Sequence, residues 1–224
     1  IFLRKLGVVK TVVYYNLDYG KIRFKNLVLN YIFHTLDKFS VIHADYTWNL
    51  ARDIINARNI RHKPGQRIRQ PLLVPIGVDF SAIKPLSIEQ IERKTIVYMG
   101  ILAHIQGVQL IVEALPGILR SMPDVRLIII GSGPLEETLK RMVEENNLSG
   151  HVRFTGLIND EEVNSILCKC ALGIAPYFPD PYSTKRGSDP TKPKMYLACG
   201  LPVVITRVPP IAGEIEENNA GLAI

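Results

Sequence analysis

Thr95-Ile-Val-Tyr-Met-Gly100, Val125-Arg-Leu-Ile-Ile-Ile-Gly131 and Val152-Arg-Phe-Thr-Gly156 are three short β-rich runs that each stop on a glycine. Stretches with helical spacing of apolar residues follow them, over Val108–Arg120, Leu135–Asn146 and Asp160–Lys169. The last carries acidic residues in its first turn, where the helix dipole favours them. The alternation continues with a strand at Ala171–Ala175, a long loop over Tyr177–Pro190 and a helix at Lys192–Ala198 ended by Gly200. A strand at Val203–Thr206, a helix at Ile211–Asn218 and a strand begun at Gly221 complete it. Strands that are apolar throughout and separated by helices predict a parallel sheet covered on both faces. That is a doubly wound α/β fold, whose ligands bind beyond the carboxyl ends of the strands.

Upstream the signals are shorter. Val8–Tyr15 predicts a strand, Phe24–Leu36 a helix, Ser40–Ala44 a short apolar run, Thr47–Ala57 a second helix and Leu72–Pro75 another strand. Ile76-Gly-Val-Asp-Phe80 opens a Pro-punctuated stretch to Pro85 that reads as a linker. The expected division is a first α/β domain with its linker over 1–82 and a second domain over 83–224. A chain of 224 residues suits one large or two modest domains, and it can bury a core without metals or disulfides. The start on Ile1 and the strand just begun at Gly221-Leu-Ala-Ile224 predict a fragment, with the first domain incomplete.

Composition excludes several classes. Hydrophobic residues are 47% and charged residues 21%, which is globular and argues against disorder. No apolar run approaches the roughly 18–20 residues of a membrane span. The three cysteines include no CxxC pair, since Cys168 and Cys170 are separated by one residue. That disfavours a disulfide framework or a zinc cage and suits a reducing, cytoplasmic compartment. Charge is uneven: residues 1–82 hold 13 Lys/Arg against 5 Asp/Glu, while 83–224 hold 14 against 16, within a net +6. Basic clusters fall at Lys21, Arg23 and Lys25, and at Arg58, Arg61, Lys63, Arg67 and Arg69. Two readings stay open, a solvated basic face and attraction to an anionic membrane surface or a phosphorylated acceptor. Nucleic acid is not expected, because there is no basic helix with heptads, no zinc finger and no RRM-like aromatic pair.

Three loops follow strands and carry glycine. In Gly100-Ile-Leu-Ala-His-Ile-Gln-Gly107, Gly100 and Gly107 let backbone approach a ligand, with the helix from Gly107 offering free N–H groups to an anion. A plain strand-to-helix turn explains the same glycines, and His104 reads either as a phosphate-binding group or as solvated. Gly131-Ser-Gly-Pro-Leu-Glu136 begins like a dinucleotide fingerprint, but Glu136 replaces the third glycine and would repel a pyrophosphate, which excludes NAD and FAD. The loop Asp180–Lys194 is long and rich in Pro, charge and hydroxyls, as functional loops are. Asp189 or Thr191 can cap the helix that follows, with Pro190 or Pro193 in its first turn. Lys192 and Lys194 then lie near a positively polarised helix end, a receptor suited to a diphosphate, or are simply solvated. No GxxxxGK[ST] is present, so a P-loop NTPase is excluded. Glu113 and Glu214 read as structural or exposed helix residues, and Cys199 as a small buried apolar group.

Tyr98-Met-Gly-Ile-Leu with Gln106-Gly-Val, Ile130-Gly-Ser-Gly-Pro134, Val152-Arg-Phe-Thr-Gly156 and Tyr196-Leu-Ala-Cys-Gly-Leu-Pro-Val-Val204 occur in that order. Together they resemble the donor-binding domain of GT-B glycosyltransferases of the group 1 (family 4) type, over residues 95–224. Residues 1–82 look like the tail of the acceptor-side domain, including Tyr15-Asn-Leu-Asp18 and Ala44-Asp-Tyr-Thr-Trp48, and Ile76-Gly-Val-Asp79 resembles the family's linker motif. The resemblance implies two doubly wound, Rossmann-like parallel sheets, the first incomplete.

It also implies a retaining transferase that moves a hexosyl group from a nucleotide diphosphate sugar to an acceptor hydroxyl, on a glycan or a lipid-linked acceptor. No metal or other cofactor is expected, in keeping with the absence of a DxD triplet. The implied donor-binding residues are Gly100, His104, Gln106, Gly107, Gly133, Asp189, Thr191, Lys192, Lys194 and Tyr196, with no catalytic residue assigned.

The pattern departs from the family in places. Ile101 and Gln106 stand where the family has an Arg and a Lys on the donor phosphates, and Gly187 and Met195 where it has a pair of Glu. A subgroup pattern, D-P-x-K-x-K-x-Y-L-A, is matched by Asp189, Pro190, Lys192, Lys194, Tyr196, Leu197 and Ala198. It implies that the two lysines replace the missing cations and that Asp189 takes over some hydroxyl recognition. The alternative is a non-catalytic nucleotide-sugar or glycan-binding relative, such as a partner subunit, which the missing Arg, Lys and Glu favour. Another sugar-nucleotide enzyme on the same fold, such as a 2-epimerase, would need carboxylate and histidine pairs that the sequence does not display. The expected location is cytoplasmic, with a peripheral membrane position if basic residues 21–69 meet anionic lipid.

Overall fold

A computed structural model describes residues 2–17, 19–20, 22–59, 71–179 and 189–224. Lys21, the cluster Arg61, Lys63, Arg67 and Arg69, and loop residues 180–188 with Gly187 lie outside the described residues. The described chain forms two compact units, one within 1–76 joined by Asp189, the other of 77–179 and 190–224. The division expected from sequence stood at 82/83.

In the first unit a short helix α1 (Phe2–Lys5) precedes β1 (Val13–Asn16), α2 (Leu27–His43), β2 (Tyr46–Asn49), α3 (Arg52–Asn59) and β3 (Leu72–Leu73). The three strands are parallel, in the order β1-β2-β3. Asn26 starts α2 by accepting hydrogen bonds from the backbone of Val28 and Leu29 at 2.9 and 3.1 Å, which satisfies two of the four orphan donors. The helix then runs through Ser40–His43, the apolar run that sequence left unassigned. Thr47–Ala57, expected as one helix, is a strand and a helix: Thr47 and Asn49 are buried while Tyr46 is exposed, the two-residue period of a strand paired to β1. The strand expected from Val8 begins only at Val13.

Beneath this sheet Asp37 and Arg58, each 4% exposed, form a buried ion pair at 2.6 Å. Asn49 accepts from the same guanidinium at 2.6 Å and Tyr14 donates to Asp37 at 2.9 Å. Burial, with Asp37 beside it, pushes the Tyr14 hydroxyl up to about 12. A buried pair of this kind is tolerable because its remaining polar atoms are also satisfied.

The second unit contains β4 (Glu92–Met99), α4 (Val108–Ser121), β5 (Arg126–Ile130), α5 (Glu136–Glu145), β6 (Val152–Gly156), α6 (Asp160–Lys169), β7 (Cys170–Ala175), α7 (Thr191–Ala198), β8 (Val203–Ile205), α8 (Ile211–Glu217) and β9 (Gly221–Ala223). All six strands are parallel, in the order β6-β5-β4-β7-β8-β9.

Alternate residues feed two cores. Ile96, Tyr98, Leu127 and Ile129 pack with Val108, Val112, Leu115 and Leu139 of α4 and α5. Val97, Ile130, Ala175, Val203 and Ile205 pack with Leu167, Tyr196 and Ile215 of α6, α7 and α8. Each fully buried Leu or Ile contributes about 1.5–3 kcal/mol, so strands apolar on both faces can be stable only between two helical layers. α6 has the bounds read from sequence, and Asn159 and Glu162 close a capping box at its start. Glu113 and Glu214 are exposed. Cys199 is 3% exposed, and burial pushes its thiol up to about 12.

Candidate functional site

The strand order reverses between β4 and β7: chain order runs one way to β6 and the other way to β9. Loops leaving two such strands diverge, opening a crevice at their carboxyl ends. The β4–β7 pairing stops at Val97 and Gly173. Beyond it the Tyr196 hydroxyl takes the place of the ladder, accepting from the Met99 N–H at 2.7 Å and donating to the Ile174 carbonyl at 3.3 Å. Tyr196 was expected among the donor-binding residues; it is 0% exposed and its hydroxyl is used between the two strands, so it fixes α7 under the crevice and does not line it. Tyr196→Phe leaves the Met99 N–H without that acceptor and is expected to cost about 1–3 kcal/mol. Urea unfolding of the two proteins checks this, and an unchanged midpoint would refute it.

One helical turn before Tyr196, Lys192 is 7% exposed. Its Nζ lies 4.0 Å from the ring centroid of Tyr98 and 5.0 Å from that of Tyr177, within cation–π range. Burial raises both phenols above the usual tyrosine range, so the rings remain neutral. A Cβ built on Gly100 would stand 3.1 Å from Lys192 Cε and 3.4 Å from Nζ, which places the amine against the backbone where β4 ends. Lys194 is half-buried and sits about 200° further round the helix, so the two lysines do not share a face.

The walls of the crevice are loops packed backbone to backbone. Gly107 caps α4 in a left-handed conformation, φ +72°, and a Cβ there would be 1.5 Å from the Pro176 carbonyl oxygen. Gly133 sits so near the other loop that a Cβ would be 2.6 Å from the Leu102 carbonyl. Leu102 donates to Ser132 at 3.0 Å and accepts from Leu135 at 2.9 Å. Gly133 is therefore explained by loop packing. His104 is exposed, with its ring 4.8 Å from that of Phe178, and Gln106 is half-buried in the turn before Gly107.

Asp189 does not cap α7. Its carboxylate accepts from the Ile76 N–H at 2.8 Å, within the first unit, and the cap position falls to Pro190 with no side-chain bond. Thr191 is exposed as the first residue of α7 and caps nothing.

Beside the crevice, a cavity of about 290 Å³ opens at the ends of β4, β5 and β6. Met99, Ile101, Leu157, Ile158 and Val163 line it together with the backbone of Gly100, Gly131 and Gly156. Of the residues expected to bind donor, Gly100 is the one that lines it. Its apolar side chains, and the two tyrosines around Lys192, are what sequence reasoning missed. The signal was the apolar pair Leu157-Ile158 directly after the strand-ending Gly156. Among the described residues no three His, Cys, Asp or Glu side chains could together hold a metal ion, and no helix is long and apolar enough to cross a membrane.

The family model described as glycosyl transferases group 1 matches residues 93–224, more than half of the chain. The chain is 33% identical over 121 residues to the GDP-mannose-dependent alpha-(1-6)-phosphatidylinositol monomannoside mannosyltransferase of Mycolicibacterium smegmatis, covering 52% of this chain and 30% of that protein. It is 32% identical over 96 residues to a phosphatidylinositol N-acetylglucosaminyltransferase subunit of Arabidopsis thaliana, covering 42% and 22%. The matched region thus spans less than a third of those two relatives.

Among solved structures, Anabaena Alr3699/HepE in complex with UDP superposes with a TM-score of 0.74 at 16% identity, over 99% of this chain and 60% of that one. WaaG, a glycosyltransferase involved in lipopolysaccharide biosynthesis, gives 0.69 at 16%, over 95% and 60%. At such identity the likeness is one of fold, the parallel α/β architecture of the GT-B type. Motif order, sheet topology and family match agree, and the chain belongs to the glycosyl transferases group 1.

Proposed function

We propose that the protein is a retaining glycosyltransferase that moves a hexosyl group from a nucleotide diphosphate sugar to an acceptor hydroxyl on a glycan or a lipid-linked acceptor. The observation that carries this reading is the buried Lys192 amine held against Gly100 at the switch point, beside an apolar cavity of about 290 Å³. A nucleobase fits a shallow slot walled by Leu157, Ile158 and glycine backbone, and the diphosphate then extends toward Lys192. Transfer breaks the bond between the sugar and its diphosphate, and the leaving group gathers negative charge as it departs. A cation fixed in a low-dielectric site before that charge develops stabilises the transition state with little reorganisation. No metal or other cofactor is assigned a step.

The activities of the relatives support a nucleotide-sugar donor and an inositol-lipid acceptor class, and the UDP complex of the Anabaena protein supports a nucleotide diphosphate. The basic residues between 21 and 69 fit an anionic membrane surface, which would place a cytoplasmic enzyme beside such an acceptor. A specific observation favours the second reading, a non-catalytic nucleotide-sugar binder. Met195, where the family has a carboxylate, is packed against the apolar core and cannot accept hydrogen bonds from ribose as a carboxylate does.

A melting screen of the protein with UDP-, GDP-, ADP- and dTDP-sugars tests both. One base series is expected to raise the melting temperature, since ligand at a hundred times its Kd adds about 2.7 kcal/mol. A shift without sugar transfer to any acceptor would select the binder, and no shift with any of the four would remove both readings.

A further inference from the structure

We propose that the amino ends of β4, β5 and β6 form a second ligand site, distinct from the crevice, that takes a small phosphorylated polyol. A cavity of about 360 Å³ opens there, lined by Glu92, Thr95, Arg126, Ser149, His151 and Arg153 among others. It lies at the opposite end of the sheet from the switch point, about 16 Å away along five strand residues. Its size falls within the range of small-molecule sites.

The strand register brings the polar groups together. Thr95 pairs with Arg126, and Ile128, two residues after Arg126, pairs with Arg153. Side chains two residues apart share a face of the sheet, so Thr95, Arg126 and Arg153 rise from one face of three adjacent strands. Neither guanidinium has a hydrogen bond or ion pair among the described residues. Asp124, the acidic residue nearest to Arg126 in sequence, is tied to Lys94 at 2.6 Å and feels the Arg126 charge only as a weaker, longer-range influence. Two planar forks with open donors match the tetrahedral oxygens of a phosphoryl group, which Arg recognises bidentately.

The wall also carries an acceptor. Thr95, 4% exposed, donates to the Glu92 carboxylate at 3.0 Å, and that carboxylate repels a bare anion while accepting from hydroxyl groups. The His151 Nδ1 donates to the Val125 carbonyl at 3.0 Å, which leaves Nε2 as the ring's second polar atom. An occupant anionic at one end and rich in hydroxyls at the other satisfies both halves; inorganic phosphate satisfies one.

Titration calorimetry at low salt, with glucose 6-phosphate and myo-inositol 1-phosphate as probes and inorganic phosphate and glucose as controls, tests this. Saturable binding of at least one polyol phosphate is expected, weakened about tenfold or more in R126Q and again in R153Q, as loss of a charge-assisted contact requires. Both side chains are exposed, so each variant should keep the melting temperature of the unliganded protein, which separates lost binding from lost folding. Absence of saturation, wild-type affinity in either variant, or equal affinity for inorganic phosphate would each overturn the assignment.

Discussion

Replacement of Gly107 by alanine is expected to destabilise the second unit by more than about 4 kcal/mol, in the exceptional tail for a single substitution. Two costs combine. A residue with a Cβ pays about 1–2 kcal/mol to adopt the left-handed backbone conformation, and φ here is +72°. The added Cβ would stand 1.5 Å from the Pro176 carbonyl oxygen, where contacts below 3.0 Å are not sustained, so that peptide must retreat by about 1.5 Å.

Pro176 leads directly into Tyr177, whose carbonyl accepts from Thr206 at 2.7 Å and whose ring flanks Lys192. The strain therefore reaches both the sheet and the crevice. Gly213→Ala is the internal control: nothing lies within 4 Å of its added Cβ, and in the helix α8 alanine is favoured over glycine by up to about 1 kcal/mol. Urea unfolding followed by near-ultraviolet dichroism should show the first variant lost and the second unharmed. A Gly107→Ala protein that unfolds at the wild-type midpoint would show that the two loops do not meet as described.

Lys192→Met is expected to lower nucleotide-sugar affinity by about ten- to a hundredfold, the equivalent of one charge-assisted hydrogen bond. Methionine keeps the unbranched shape and its sulfur still packs well against Tyr98 and Tyr177, so the crevice keeps its walls and loses its charge. Removing an ammonium from a site that is 7% exposed removes a desolvation cost but also the contacts with the two rings, so the stability should change by no more than about 2 kcal/mol. Calorimetry with the sugar nucleotide selected by the melting screen measures the first effect, and the melting temperature the second. The free nucleoside, which lacks phosphates, should bind both proteins alike. Equal sugar-nucleotide affinity in the two proteins would detach Lys192 from the diphosphate.

The second unit was largely legible from sequence because its central strands carry apolar runs that stop on a glycine, Ile96–Met99 before Gly100 and Leu127–Ile130 before Gly131. Val125–Ile130 carries that signal without any context, and the structure trims it by one residue to Arg126–Ile130. The first unit was less so. Thr47–Ala57 alternates over too few residues for a two-residue period to stand out from a helical one, and it is the pairing of Tyr46–Asn49 to β1 that makes the first half a strand. Local pattern is a weak prior where a neighbouring strand supplies the deciding hydrogen bonds.

At the site, the Pro- and Lys-rich helix start made Lys192 a candidate, but its surroundings were not readable from sequence. Tyr98 and Tyr177 are 79 residues apart in sequence, and nothing local says that both rings close on one amine. Asp189 and Thr191 looked like caps because their residue types favour that role, yet Asp189 accepts from the Ile76 backbone, 113 residues away. Tyr196 looked like a ligand contact because it falls in the D-P-x-K-x-K-x-Y-L-A pattern.

Residue order alone determined the parallel α/β architecture, which follows from periodicity and local spacing, and it carried the ordered motifs that resemble the family. Tertiary structure decided which groups meet: that Tyr196 bridges two parting strands, that Gly107 must admit the Pro176 carbonyl, and that Lys192 faces the crevice. Those outcomes depend on contacts between loops distant in sequence, whose approach is set by strand order and sheet packing, and neither is written in any single stretch of the chain.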